Sequence, residues 1–150
     1  MPLVTAMPVL TSGLMALFES APATAADAGR RFASAYATYC LAGGVAVLPP
    51  KQEALGTGVA GAFEATAGSG AAGLVLALVA FWPGTPVPGM GPTAQAVVFT
   101  PTGDQSFVIP GAAEMAAAAQ AAGLAALIHT LTMASVKVAI PPSPALVPIA

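Results

Sequence analysis

The sequence predicts an α+β fold in which helix dominates. Alanine-rich stretches that also contain Leu, Met and Gln favour helix, and the 15 prolines fall between these stretches, where they end them. Short β-branched runs bounded by turn residues predict strands. We expect about four helical segments, a short β-hairpin, an edge strand, and extended apolar arms at both ends.

The length of 150 residues fits one domain flanked by two arms. Residues 1–10 are apolar and contain Pro2 and Pro8, which predicts an extended N-terminal arm. Residues 11–140 are expected to form a single compact domain. Residues 141–150 are proline-rich and free of charge, so they predict a second arm that lies extended on other subunits.

The first two helical segments lie between residues 12 and 42. Ser12 can cap a short helix over 12–19, which Pro22 breaks. Thr24 and Asp27 resemble a capping box that starts a helix running to about Ala42, and Gly43-Gly44 is a natural stop. Four side chains of the second helix fall on one face and predict its buried side: Phe32, Tyr36, Tyr39 and Cys40.

Two further segments and an alanine-rich helix follow. Residues 51–67 are helical in character, although three glycines loosen them. Residues 71–82 predict a buried helix, with a buried strand as the open alternative, because periodicity does not separate the two. Residues 112–134 predict the alanine-rich helix.

The predicted strands lie in the second half of the chain. Residues 83–93 form a Pro/Gly loop, and 94–100 predict a strand. A turn over 101–104 would return the chain through 106–109 as its hairpin partner. Residues 136–140 predict an edge strand.

Charge is scarce along the whole chain. Ten charged side chains give a net charge of −2, although 57% of residues are hydrophobic. A compact monomer of this mass exposes roughly 7,000 Å², or about one charge per 700 Å², whereas an ordinary domain has about one per 180 Å². Most of the surface should therefore face a protein assembly or a membrane.

Several classes of function are disfavoured. The four basic residues are too few for a nucleic-acid surface, since only Arg30 and Arg31 are adjacent. Cys40 and His129, each the only residue of its type, cannot make a zinc site. Cys40 is expected to be buried on a helix, with an intermolecular disulfide as the alternative.

Two glycine motifs match the dinucleotide-binding pattern G-x-G-x-x-G, at residues 56–61 and 68–73. Both follow helix-like sequence instead of a strand, and neither has an acidic residue about 20 positions later. We interpret them as small-residue helix packing or loop. No cofactor is implied.

No catalytic set emerges from the remaining polar residues. The sequence has no G-x-S-x-G nucleophile elbow whose serine could pair with His129. We expect His129 to be a half-buried helix residue. Glu53 and Glu64 are interpreted as solvated positions and Asp104 as a turn residue. The sequence therefore predicts a protein that is not an enzyme and has no catalytic, cofactor or metal residues.

Three features together carry a resemblance. Aromatic residues lie on an early helix, Ala80-Phe81-Trp82 precedes a Pro/Gly loop, and a helix ending Leu127-Ile128-His129-Thr130 runs into Val136-Lys137-Val138. This pattern resembles small Ala/Gly/Pro-rich virion proteins of tailed bacteriophages and phage-tail-like particles. The resemblance implies a structural subunit of a virion assembled in the host cytoplasm, with copies of itself and other structural subunits as partners.

The expected interface combines both arms with two aromatic side chains. Phe81 and Trp82 should be mostly buried, in the core or against a neighbour. The arm residues expected in grooves of other subunits are Leu3, Val4, Leu146, Val147 and Ile149. The alternative function is a small integral membrane protein, with a spanning helix near 115–136.

Overall fold

The computed structural model describes residues 3–19, 24–64, 70–100, 117–143 and 145–149. Helix dominates these residues and is joined by a small antiparallel sheet, which confirms the predicted fold class. The helices are α1 (Met7–Glu19), α2 (Ala25–Ala42), α3 (Pro49–Glu64), α4 (Gly70–Phe81) and α5 (Ala117–Ser135). The strands are β1 (Gln95–Phe99), β2 (Val136–Ala139) and β3 (Leu146–Pro148), and short 3-10 helices cover Leu3–Thr5 and Pro88–Met90.

Each helix packs mainly against one or two other helices. α3 lies against α2 and α4, while α1 lies against α2 and α5. The sheet has the order β1-β2-β3, and α5 runs directly into β2. The core therefore lies between the helices and continues under the sheet, where Val136, Val138 and Ile149 are buried.

Helix α2 begins and ends at the predicted residues. The Thr24 hydroxyl accepts a hydrogen bond from the Asp27 backbone N–H at 3.1 Å, which satisfies one of the unpaired donors of the first turn. Gly43 is the C-cap, and Gly44 adopts a φ of +79°, a conformation that favours glycine. Phe32, Tyr36, Tyr39 and Cys40 are all buried, so the predicted core face is confirmed.

The expected extended N-terminal arm is wrong for the described residues. Leu3–Thr5 form a 3-10 helix, and α1 already begins at Met7. Pro8 does not prevent this, because a proline in the first helical turn gives up only an N–H that has no partner there. Leu3 and Leu10 are fully buried in the chain's own core, so residue 10 is not a boundary.

The sheet also differs from the prediction. β2 was expected at an edge but is the middle strand, because β3 pairs with its free side. The Ile149 backbone N–H donates to the Val136 carbonyl at 3.3 Å, and the Ile149 side chain is buried. The C-terminal segment therefore packs on its own chain, and no boundary at residue 140 separates it from the core.

The predicted hairpin falls partly outside the described residues. Its second strand, 106–109, lies there, whereas its first strand is β1. The described partner of β1 is β2, with a register shift between Ala96 and Val98. On its other side, Ala96 exchanges backbone hydrogen bonds with Gly84 and Thr85, so both sides of Ala96 are occupied.

Residues 71–82 are helical up to Phe81, which decides between the helix and strand interpretations. The end of α4 is held by Lys51, whose ammonium donates to the carbonyl oxygens of Ala80 at 3.1 Å and Pro83 at 2.9 Å. A cation at a helix C-terminus is favourable because it interacts with the unpaired carbonyls.

The alternative of a spanning helix concerned residues 115–136. α5 covers most of this stretch, packs against α1 and buries four apolar side chains: Ala121, Leu124, Ala125 and Ile128. Among the helices that the structure describes, none is both long and apolar enough to cross a membrane.

Small residues let α2, α3 and α4 approach closely. A Cβ on Gly29 would collide with the Gly56 carbonyl oxygen and come within 2.8 Å of the Ala60 backbone nitrogen. A Cβ on Gly58 would come within 2.8 Å of the Ala77 Cβ. Residues 56–61 therefore lie inside α3, and the helix-packing interpretation of this glycine motif is confirmed.

We predict opposite effects for two helical glycines. Gly29→Ala forces α2 away from α3 and should lower the free energy of unfolding by about 1–3 kcal/mol. Gly61→Ala meets no atom within 4 Å, so it should raise the free energy of unfolding by about 0.5–1 kcal/mol through helix propensity. Urea denaturation followed by circular dichroism measures both, and equal effects would contradict the packing.

Candidate functional site

A hydrogen-bonded aromatic cluster at the centre of the fold joins α2, the end of α4 and α5. The Trp82 indole N–H donates to the Tyr36 hydroxyl at 3.0 Å. The Tyr36 and Thr132 hydroxyl oxygens lie 2.7 Å apart. The ring centroids of Phe81 and Tyr36 are 5.5 Å apart in an edge-to-face arrangement, a favourable geometry for aromatic pairs.

The direction of these hydrogen bonds follows from the donor inventory. Indole N–H only donates, so the Tyr36 oxygen accepts from Trp82. If the phenol proton then points to Thr132, every polar atom of Tyr36 is satisfied. Burial, together with the nearby Cys40 and Tyr39, raises the pKa of Tyr36 well above its ordinary value of 10.0, so the hydroxyl stays protonated and able to donate.

A second polar pair joins α2 to α5 nearer the surface. The Tyr39 hydroxyl lies 2.8 Å from His129 Nδ1, and the two rings meet edge to face. His129 is half-buried, as the sequence predicts. Desolvation lowers the pKa of His129 from its ordinary 6.5. The neutral imidazole is therefore favoured, and its Nδ1 can accept a hydrogen bond from the Tyr39 hydroxyl.

Cys40 lies beside these aromatic residues and is fully buried. Burial raises the pKa of its thiol well above the ordinary value of 9.0, which suppresses the reactive thiolate. The alternative of an intermolecular disulfide through Cys40 is inconsistent with this placement, because another chain cannot reach the sulfur atom in this conformation.

The hydrogen bonds of the cluster hold α2, the end of α4 and α5 together. The Ser135 hydroxyl is buried and has no hydrogen-bond partner among the described residues. Within the described ranges, no group of three His, Cys, Asp or Glu residues lies close enough to hold a metal ion. Asp104 lies outside those ranges, and the side chain of Glu64 is not described.

Four of the seven predicted interface residues belong to the chain's own core. Phe81 and Trp82 are buried, which confirms that these aromatics avoid water but corrects their assignment as interface. Leu3 and Ile149 are buried as well, because the 3-10 helix and β3 fold back onto the domain. Val4 and Leu146 remain exposed, and Val147 is half-buried.

The molecular surface is rich in exposed apolar side chains. Leu76 on α4 is 67% exposed, and Leu127 on α5 is 44% exposed. The exposed large hydrophobic residues among the side chains that the structure describes are Val4, Met7, Leu41, Leu48, Leu76, Val97, Leu127 and Leu146. Sequence reasoning missed most of these residues, because it expected the arms to carry the interface.

The described charges are concentrated on α2 and α3. Asp27 forms ion pairs with both Arg30 and Arg31, at 3.0 and 3.1 Å. Lys51 and Glu53 lie on α3. α4, α5, β1 and β3 contain no charged residue. Most of the described charges therefore lie on two neighbouring helices, while four other elements carry none.

Comparison with protein-family models, with curated proteins and with solved structures finds no match in any of the three.

We predict that Tyr36→Phe is costly although it removes one atom. The variant leaves the Trp82 N–H and the Thr132 hydroxyl without their shared partner, which should lower the free energy of unfolding by about 1–3 kcal/mol. Ser135→Ala is the matched control, since its hydroxyl has no partner to lose and should be neutral or stabilising. Equal losses in thermal denaturation would show that the Tyr36 bonds contribute nothing.

We predict a loss of stability on mild acidification through His129. Its native pKa lies below the ordinary 6.5, so the unfolded state takes up the proton first. This contribution to stability is present above pH 6.5 and is lost as the pH falls below that value. Urea titrations between about pH 7.5 and 5.5 should show the loss in the native chain and a weaker dependence in His129→Gln. The same slope in both chains would contradict the assignment.

Proposed function

We propose that this chain is a non-enzymatic structural subunit of a large protein assembly, which associates with copies of itself and with other subunits through apolar surface. The observation that carries the proposal is the exposure of eight large hydrophobic side chains within the described part of a chain that has ten charges. Isolated exposed apolar residues are normal, but here whole elements lack the charge that ordinarily keeps a surface in water.

The outer face of α5 illustrates the point. Among residues 121–135, where the structure describes burial, the exposed positions are Ala122, Gly123, Ala126, Leu127, Thr130 and Ala134, none of them charged. Small side chains around one leucine allow a neighbouring backbone to approach closely. Burial of such a face contributes about 25 cal/mol per Å² of apolar area removed from water.

Helix α4 supports the same reasoning. Leu76 projects from a helix that contains no polar side chain. Obligate interfaces resemble a domain core cut in half, and an uncharged helix with an exposed leucine has that character. We propose that α4 and α5 both contact neighbouring subunits.

The basic side chains do not favour a nucleic-acid partner. Arg30 and Arg31 are both paired with Asp27, and Lys51 is bound to two carbonyl oxygens. Phosphate binding needs several basic groups on one face, whereas the four basic residues of this chain are divided between α2, α3 and β2. The partners we propose are therefore proteins of the same assembly.

Among assemblies, we propose a virion of a tailed bacteriophage or a phage-like particle. The resemblance of the sequence to the small Ala/Gly/Pro-rich proteins of such particles supports this choice, and the apolar surface supports the role of a building block. The subunit would assemble in the host cytoplasm and remain in the particle.

The test is a double variant, Leu76→Glu/Leu127→Glu. Both side chains are exposed, so the fold should survive while self-association weakens by at least about tenfold, equivalent to about 1.4 kcal/mol. Ala54→Glu, at an exposed position of α3, is the control for added charge. Sedimentation velocity measures association, and circular dichroism verifies the fold. Unchanged association in the folded double variant would contradict the proposal.

A further inference from the structure

A groove between α2 and α3 lies beside several of the described charges. Its volume is about 580 Å³. Its floor is made of small residues where the two helices approach closely. A Cβ placed on Gly56 would lie 3.5 Å from the Gly29 carbonyl oxygen and 3.6 Å from the Arg30 Cα. The lining residues are Ala26, Arg30, Ala33, Pro49, Gln52, Glu53, Gly56, Thr57 and Ala60.

The two walls of the groove carry opposite charges. Arg30 lies on the α2 wall, its side chain is 74% exposed, and one guanidinium nitrogen is bound to Asp27. Glu53 lies on the α3 wall, is exposed, and forms no ion pair with a described residue. Lys51, two positions away, is already bound to the end of α4. The remaining donors of Arg30 and the Glu53 carboxylate are therefore available to a partner.

From this arrangement we infer that the α2–α3 groove is a two-fold interface with a second copy of the chain, in which Arg30 of each protomer pairs with Glu53 of the other. Charge complementarity is the reason for choosing a second copy of the chain as the partner. A surface with one cation and one anion on opposite walls is complementary to itself after a two-fold rotation, as an isologous interface requires. The small-residue floor accommodates the ridge of the facing helix.

The inference rests on the proposed function and adds a second contact to it. An isologous interface alone closes at a dimer. Growth beyond a dimer requires another surface, which the uncharged faces of α4 and α5 provide in the proposal. The groove would then define the dimeric building block, and the apolar faces would join the blocks.

Charge reversal tests the pairing. In the Leu76→Glu/Leu127→Glu background, which weakens apolar association, Arg30→Glu and Glu53→Arg are each expected to weaken dimerisation by at least about tenfold. Arg31→Glu, beside Arg30 and bound to the same Asp27, and Glu19→Arg, at the end of α1, are the matched controls and should dimerise normally. Sedimentation velocity measures the dimer, and circular dichroism verifies each fold.

Mixing the Arg30→Glu and Glu53→Arg variants, both in that background, is the decisive step. A chain with Glu at 30 and 53 is complementary only to a chain with Arg at both positions, so an equimolar mixture should recover the dimer. An ion pair within one chain cannot be restored by mixing. If neither charge reversal weakens dimerisation, the inference is overturned. It is also overturned if dimerisation is lost and the mixture does not recover it, and the groove then binds a partner other than a second copy. If the native chain stays monomeric, the proposed function is contradicted as well. If the native chain associates and both charge-reversal variants still dimerise, only the groove inference is contradicted.

Discussion

The fold depends on the buried hydroxyl of Tyr36. One side chain of α2 accepts from Trp82, at the end of α4, and lies 2.7 Å from the hydroxyl of Thr132 on α5. A buried polar group must be paired or the fold loses stability, so these three elements are held in one arrangement. The aromatic rings around Tyr36 then fill the space between them. The remaining helices add large buried side chains to this core, among them Leu10 and Leu14 of α1 and Leu55 of α3. Glycines let α3 approach α2 and α4 closely.

The surface around this core is short of charge, because the whole chain has only ten charged side chains. The few charged groups are used locally: Asp27 binds two arginines, and Lys51 holds the end of α4. Water therefore meets α4, α5 and the outer strands through apolar or small side chains. The proposed assembly follows from that constraint, because association removes the apolar surface from water without further folding.

Much of the helical architecture could be predicted from local sequence signals. Thr24 with Asp27 marked the start of α2, Gly43 its end, and the spacing of Phe32, Tyr36 and Tyr39 its buried face. The predicted helix over 12–19 forms the larger part of α1. Residues 7–11 of α1 were not predicted, because Pro8 was expected to exclude helix, although a first turn tolerates proline. The middle place of β2 depends on its pairing with β3, for example Val138 with Val147. It was not predicted because residues 141–150 were expected to lie on other subunits. The bonds of Tyr36 to Trp82 and of Tyr39 to His129 join residues far apart in the chain. The exposure of Leu76 and Leu127 depends on how the helices pack, which the local sequence does not show.

The proposed association rests on the exposed apolar side chains and on the scarcity of charge in the folded chain. The decisive experiment is sedimentation equilibrium of the purified full chain in detergent-free buffer near pH 7.5, over a wide range of concentration. Self-association through the apolar surface should give an average mass that rises above the 14.5 kDa of one chain as the concentration increases. A folded species of 14.5 kDa at every concentration would contradict it.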